Sequence, residues 1–310
     1  MARRLASISV DLDSLHHYCR IHALPEALLD DRARALVYEV AVPRYLALFS
    51  ELGVPGTFFA IGEDLSDSGA QASLRGAHEA GVEIGNHSHS HDYALSRRPP
   101  AQIEEELALG EDAIEAAVGV RPVGFRAPGY TLSAELYGAL CRRGYLYDSS
   151  AFPAVPYYTA KALVMGGLQL LGRPSKAVLD SPRVLAAPTR PYFPSLENPY
   201  ARGEGEVLEL PISCAPVSRV PFIGTFAVMA PRAAVRAVYS TLRREPLFNF
   251  ELHAVDVLSV EDGIPGELAS GQRDLRTSAA EKLARLREVF GWLHSDFDVV
   301  TLADAVRRLR

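Results

Sequence analysis

Val82-Glu83-Ile84-Gly85-Asn86-His87-Ser88-His89-Ser90-His91 opens as a short β-branched run, breaks at a glycine, and passes at once into three histidines within five residues. A buried strand that ends in a polar tail is the pattern expected of a parallel α/β sheet, where chemistry gathers at the carboxyl ends of the strands. Similar short runs occur at 5–10, 56–61, 122–125, 145–147, 207–210, 248–252 and 298–301. Between them, 31–52, 68–80, 101–118, 133–143, 231–244, 278–293 and 302–309 carry apolar residues at helical spacing. This alternation predicts an α/β fold, a parallel sheet or (β/α) barrel of about seven to eight strands. With no repeat and no Gly/Ser linker, residues 1–310 are expected to form a single domain.

Two segments interrupt the alternation. Residues 152–206 hold eight prolines around an apolar helical piece, 157–171, and read as a long excursion. Residues 260–277 read as a polar loop. Long excursions at the mouth of a barrel commonly wall or cover the substrate.

Composition narrows the class. Of 310 residues, 48% are hydrophobic and 23% charged, which excludes a disordered or fibrous chain. Thirty-two Lys+Arg against 38 Asp+Glu leave a net charge of −6 with no basic run, so nucleic acid is not the expected partner. Cys19, Cys141 and Cys214 are odd in number and widely spaced, which fits a reducing, cytoplasmic setting. Six residues (5–10) separate the basic start from Asp11, too few for a secretory signal. The longest apolar stretch, 162–172, is too short to span a bilayer, so no transmembrane segment is expected.

Four strand ends carry candidate chemistry. Asp11 and Asp13 lie two apart, so in extended chain they point the same way and can serve a metal and a base; a turn or helix cap would use the same residues. His87 and His91, at i and i+4, would share one side of a helical turn, a metal-site spacing, while His89 faces elsewhere. Asp13, His87 and His91 would make three protein ligands with an open position for water, the arrangement of a hydrolytic metal. Arg126, before the Pro128-Gly129 turn, can hold a carboxylate such as Asp11 ionised, while the turn offers N–H groups to an oxyanion; a surface Arg beside a turn is the plain alternative. His253 ends the seventh strand and can protonate a leaving amine if a neighbour such as Asp148 tunes it, although each signal alone is weak.

In this order the motifs resemble those of the polysaccharide deacetylases, carbohydrate esterase family 4. His87-Ser88-His89-Ser90-His91 matches that family's H-S-x-x-H fully. Ser9-Val10-Asp11-Leu12-Asp13 is similar to its T-F-D-D with one residue inserted, Arg126-Ala127-Pro128 to R-x-P-Y with Gly129 in the aromatic place, Asp148-Ser149-Ser150 to the fourth motif, and Leu252-His253 to the fifth. The resemblance implies a distorted barrel holding one divalent metal, zinc first and cobalt, manganese, nickel or iron as alternatives. It implies Asp13, His87 and His91 as metal ligands, Asp11 as general base held by Arg126, and the N–H of Gly129 or of Tyr130 at the oxyanion of the substrate. His253 would then be the acid, with Asp148 its partner. The inserted Leu12 leaves open which of Asp11 and Asp13 is base and which ligand. Asp-x-Asp and His253-Ala254 also resemble the branch that deformylates lipid-linked aminoarabinose. A glycine at 129 is expected to widen the site near the acyl group.

The expected activity is therefore metal-dependent removal of an acetyl or formyl group from an N-acylated sugar, in glycan, glycolipid or natural-product biosynthesis. The alternatives are a sugar-binding module that has lost turnover and an amidase for a non-sugar amide. The stretch 157–171, with Lys161 its only charge, reads first as core and second as an apolar patch for a lipid-linked sugar or a membrane surface. A lipid- or nucleotide-linked sugar thus fits better than an extracellular polymer, with peripheral membrane contact as an accompanying expectation.

Overall fold

The computed structural model describes residues 4–170 and 178–310. Its strands are β1 (Leu5–Asp11), β2 (Thr57–Ala60), β3 (Glu83–Asn86), β4 (Gly124–Phe125), β5 (Tyr147–Asp148), β6 (Leu208–Glu209), β7 (Leu247–His253) and β8 (Asp298–Val299). All eight expected strands form, and their pairings are parallel in the order β6-β5-β4-β3-β2-β1-β7, with β8 on β1. Several are only two residues long; β4 starts at Gly124 rather than Pro122, whose nitrogen has no hydrogen to give a ladder.

The long strand β1 organises the sheet. One edge pairs along its whole length with β7, Leu5 to Leu247 through Asp11 to His253. The other edge is shared, with β8 beside Leu5 and Ala6 and β2 beside Ser9 to Asp11. β6 and β7 stand at the two ends of the order, and residues 211–223 close the space between them: Ser213 N–H donates to Asn249 O at 3.1 Å, and Ile223 bridges Glu251. The result is a curled, distorted (β/α) barrel.

Strand period two divides its lining. Ala6, Ile8 and Val10 of β1 join Phe248, Phe250 and Leu252 of β7 in the apolar layer under the helices. The alternate residues Ser7, Ser9, Asp11, Asn249 and Glu251 are equally buried but polar. They line a polar interior in which Asn249 Nδ2 donates to Ser149 Oγ and to Leu210 O, both at 2.9 Å. Because every strand is parallel, Asp11, Asn86 and His253 close their strands at the same end.

Some expectations change in detail. The helix expected over 31–52 is broken into Asp31–Leu36 and Val42–Leu52 by a π-helical turn, Val37–Ala41. Pro43 lies just beyond that turn, and a proline ring cannot sit in an unbroken α-helical ladder. The segment 260–277 is not a plain loop; it folds as the helix Gly266–Gly271 between 3₁₀ turns at Val260–Asp262 and Arg273–Arg276. In the excursion, the apolar piece is a helix, Val155–Leu170, and position 171 lies outside the described residues. The three cysteines are free thiols. Among the described residues no helix is long and apolar enough to cross a membrane.

Candidate metal centre and catalytic cavity

The barrel's carboxyl end brings three lone-pair donors to one point. His87 follows β3 directly, and its Nδ1 lies 2.7 Å from the carbonyl of Arg126. A carbonyl only accepts, so Nδ1 carries the hydrogen and Nε2 faces the cavity with a lone pair. That Nε2 lies 3.2 Å from His91 Nε2 and 3.3 Å from Asp13 Oδ1, and His91 Nε2 is also 3.3 Å from Asp13 Oδ1. Ligand atoms on a tetrahedral zinc at ~2.0–2.1 Å stand about 3.3–3.4 Å apart, so this triangle has the edge length of one metal face. Asp13 Oδ1 is buried with no hydrogen-bond partner among the described residues. Two imidazole nitrogens and a carboxylate oxygen, all buried and one ligand-to-ligand distance apart, fit a divalent metal. Burial resists ionisation of Asp13, but His91 and His87 outweigh it and hold the carboxyl well below its usual range. Burial also pushes His91 below its ordinary value, toward the neutral form a metal needs.

The i, i+4 pair does not meet on a helix as its spacing suggested. Residues 87–91 form a loop with left-handed backbone at Ser88 (φ 65°) and His91 (φ 52°). Ser88 Oγ accepts from His91 N–H at 3.1 Å, and Gly62 N–H and Glu63 N–H hold the carbonyls of Ser88 and His89. Tethering to residues 62–63 and the strained φ values replace helical geometry as the device that aims both rings.

Beside this triangle, Arg126 is wholly buried and holds Asp11: Nη1 donates to Asp11 Oδ1 at 2.7 Å. The rest of the guanidinium is fixed by Ser9 Oγ, Ser149 Oγ and Ser149 O, each at 2.9 Å, with the Phe59 ring 4.3 Å away. Asp11 Oδ2 is left buried without a hydrogen-bond partner among the described residues, 3.8 Å from His87 Nε2. Asp13 thus stands among the imidazoles while Asp11 stands against the arginine, which separates the two carboxylates the sequence left interchangeable.

His253, at the end of β7, lies across the cavity with Nε2 3.9 Å from Asp13 Oδ2. Its expected partner, Asp148, is elsewhere. Asp148 accepts from Ser150 Oγ at 2.5 Å and interacts with Glu209, the residue opposite it on β6. The carboxylate beside His253 is Glu251, with Oε1 3.0 Å from Nδ1, and Tyr130 Oη lies 3.1 Å from Nε2. Burial alone would lower the His253 pKa, but Glu251, followed by Asp13 and Asp11, reverses this and raises it well above its ordinary value. Glu251 was missed although a signal existed, since i and i+2 on a strand share a face and His253 was already singled out.

The turn at 128–130 departs from expectation twice. Tyr130 N–H is spent on Ala127 O at 3.0 Å, which removes it from the two donors expected for an oxyanion; its hydroxyl, not its amide, faces the chemistry. Gly129 does not leave extra room. It has φ 63°, and a Cβ there would stand 2.8 Å from the Tyr93 ring, so an aromatic from another segment fills the place. Tyr93 in turn meets His91 edge-on at 4.8 Å between ring centres.

These groups open into a cavity of about 260 Å³, lined mainly by apolar and aromatic side chains, among them Tyr18, Tyr93, Tyr157, Met165 and Ile223. The helix Val155–Leu170 contributes Tyr157, Lys161, Val164 and Met165 to its wall.

Residues 29–147 match the family model for polysaccharide deacetylase. A peptidoglycan deacetylase of Helicobacter pylori is 29% identical over 157 residues, 50% of this chain and 52% of its own. The peptidoglycan deacetylase-like protein FGM2 of Gibberella zeae is 29% identical over 154 residues, 48% of this chain and 45% of its own. The chain spans about half the length of these curated relatives. Among solved structures, a Mycobacterium smegmatis protein assigned as a polysaccharide deacetylase aligns over 100% of this chain and 92% of its own, with TM-score 0.61 and 21% identity. Puue allantoinase aligns over 98% of this chain and 90% of its own, with TM-score 0.60 and 17% identity, and shares the fold. Residues 29–147 are thus similar to the polysaccharide deacetylase domain, and the fold over the whole chain is that of the solved structures named above.

Proposed function

We propose that this protein is a metal-dependent deacylase that hydrolyses the amide of an N-acylated sugar, releasing a small acid such as acetate or formate. The observation that carries the reading is the Asp13–His87–His91 triangle standing beside a second carboxylate, Asp11, whose other oxygen is pinned by Arg126. Zinc is the first candidate for the cation, on the imidazole and carboxylate character of the three ligands. A divalent cation bound there supplies Lewis-acid polarisation of the acyl carbonyl and acidifies a water.

The chain's own residues do the rest. Asp11 takes the proton of the attacking water on Oδ2, while Arg126 keeps Oδ1 occupied. Water oxygen adds to the acyl carbon, the C–N bond breaks, and the nitrogen leaves with a proton from His253 Nε2. Glu251 holds Nδ1 and keeps His253 charged until that transfer, and Tyr130 Oη fixes the ring's tilt. The mainly apolar lining limits competing water.

A cavity of about 260 Å³ supports a substrate that enters as a single ring in preference to a threaded polymer. Leu163 and Val164, 77% and 62% exposed on the helix Val155–Leu170, support a lipid-linked sugar presented at a membrane surface. We also take residues 1–310 as one domain, in a cytoplasmic, membrane-peripheral setting. The test is acid release from a panel of N-acetyl and N-formyl sugars, free, nucleotide-linked and lipid-linked, with zinc supplied. Release abolished by Asp11→Asn is the expected result. Release from none of the sugars, or preference for a non-sugar amide, overturns the reading.

A further inference from the structure

We propose that Lys161 anchors an anionic substituent of the substrate, a carboxylate or a phosphate, and so sets the substrate class of the cavity; this rests on the reading of the site given above. Lys161 is the only lysine or arginine among the described residues that line the cavity. It projects from the helix Val155–Leu170, and among the described residues its Nζ makes one long hydrogen bond, 3.4 Å to Gly129 O, with the Tyr157 ring centre 5.7 Å away. Asp180 is the acid that Lys161 feels, yet its oxygens already accept from Tyr200 Oη at 2.7 and 2.6 Å and from Ser181 N–H at 2.7 Å. An ammonium carries three hydrogens, and one that is largely desolvated with a single weak acceptor among the described residues is costly unless an anion completes it.

Its surroundings agree. Burial lowers the Lys161 pKa to about 8, with Asp180 partly offsetting, so the side chain remains a cation at neutral pH. The other charged groups of the lining belong to the metal and acid–base machinery, and the remaining wall is mostly apolar. The anion would lie on the side of the Gly129–Tyr130 turn, the same turn from which Tyr130 reaches His253. Binding energy from a group remote from the amide would then orient the acyl carbon over the reacting groups.

The test uses deacylated sugars, which cannot be turned over: muramic acid carries a carboxylate, glucosamine 6-phosphate a phosphate, and glucosamine neither. Their binding to the zinc-loaded protein is measured by calorimetry for wild type, Lys161→Met and Lys161→Arg, with circular dichroism confirming the fold of each. Wild type is expected to bind at least one anionic sugar about tenfold to a hundredfold more tightly than glucosamine. Which one it prefers distinguishes carboxylate from phosphate. The preference should vanish in Lys161→Met and persist in Lys161→Arg. Equal binding of all three, binding of none, or a preference that survives Lys161→Met overturns the proposal, the last because the metal itself would then be taking the anion. A Lys161-dependent preference without hydrolysis of any acyl sugar would instead overturn the deacylase reading alone.

Discussion

Glu251 Oε1 stands 3.0 Å from Nδ1 of His253, two residues farther along the same strand. Both side chains leave β7 on its inner face, so one strand supplies the acid and the carboxylate that charges it. Glu251→Gln should lower kcat by about 10- to 100-fold, in the range found for groups that orient a catalytic ring, and leave zinc content unchanged. Unaltered turnover would show that His253 needs no such partner.

Arg126 has the most to lose by truncation. Its guanidinium is completely buried and bonded to Asp11, Ser9 and Ser149, so Arg126→Met leaves a buried carboxylate and a carbonyl without donors. A destabilisation of about 3–5 kcal/mol is expected, read from denaturant unfolding of wild type and variant. A shift under ~1 kcal/mol would mean that water reaches the barrel interior and takes the arginine's place.

Asp148 and Glu209 form a buried carboxyl pair whose pKa values are both raised, by burial first and by each other's charge in the case of Glu209. The folded chain keeps a proton there at pH values where the unfolded chain has released it. Each raised acid therefore costs stability as pH rises from about 4 through its folded pKa, and the cost persists above it. Asp148→Asn removes one of the two charges while Ser150 can still donate to the amide oxygen. The melting temperature of the variant relative to wild type should accordingly rise as pH increases from about 4 through about 6, the raised value of Asp148. A difference that stays flat with pH would contradict a shared proton.

At Gly129, Ala adds a Cβ 2.8 Å from the Tyr93 ring at a φ of 63°. The backbone cost alone is about 1–2 kcal/mol, and displacing Tyr93 loosens its contact with the His91 ring. Lower thermal stability with weaker zinc binding is the expected pair of effects in Gly129→Ala. A variant indistinguishable from wild type in both would show that Tyr93 has room to move.

Strand ends were legible in the sequence because a buried parallel strand is a short apolar run and its chemistry follows immediately. This located Asp11, His87, Arg126 and His253 without any knowledge of distance. What failed was reach across the barrel. Asp148 and His253 both end strands, but β5 is separated from β7 by β4, β3, β2 and β1 one way and by β6 the other, an arrangement no single segment encodes. His87 and His91 come together, but not on a helical turn: the loop between them has left-handed φ at Ser88 and His91 and is tethered to residues 62–63. Tyr93, filling the place beside Gly129, is likewise a tertiary fact: nothing local says that its ring meets the Gly129 turn.

The central claim is that Asp13, His87 and His91 grip one cation, and titration of the metal-stripped protein with zinc tests it most directly. Wild type, Asp11→Asn and His253→Ala should each take up one ion per chain, whereas His87→Ala and His91→Ala should lose that tight binding. A wild-type protein that takes up no zinc, or histidine variants that bind it as tightly as wild type, would contradict the account.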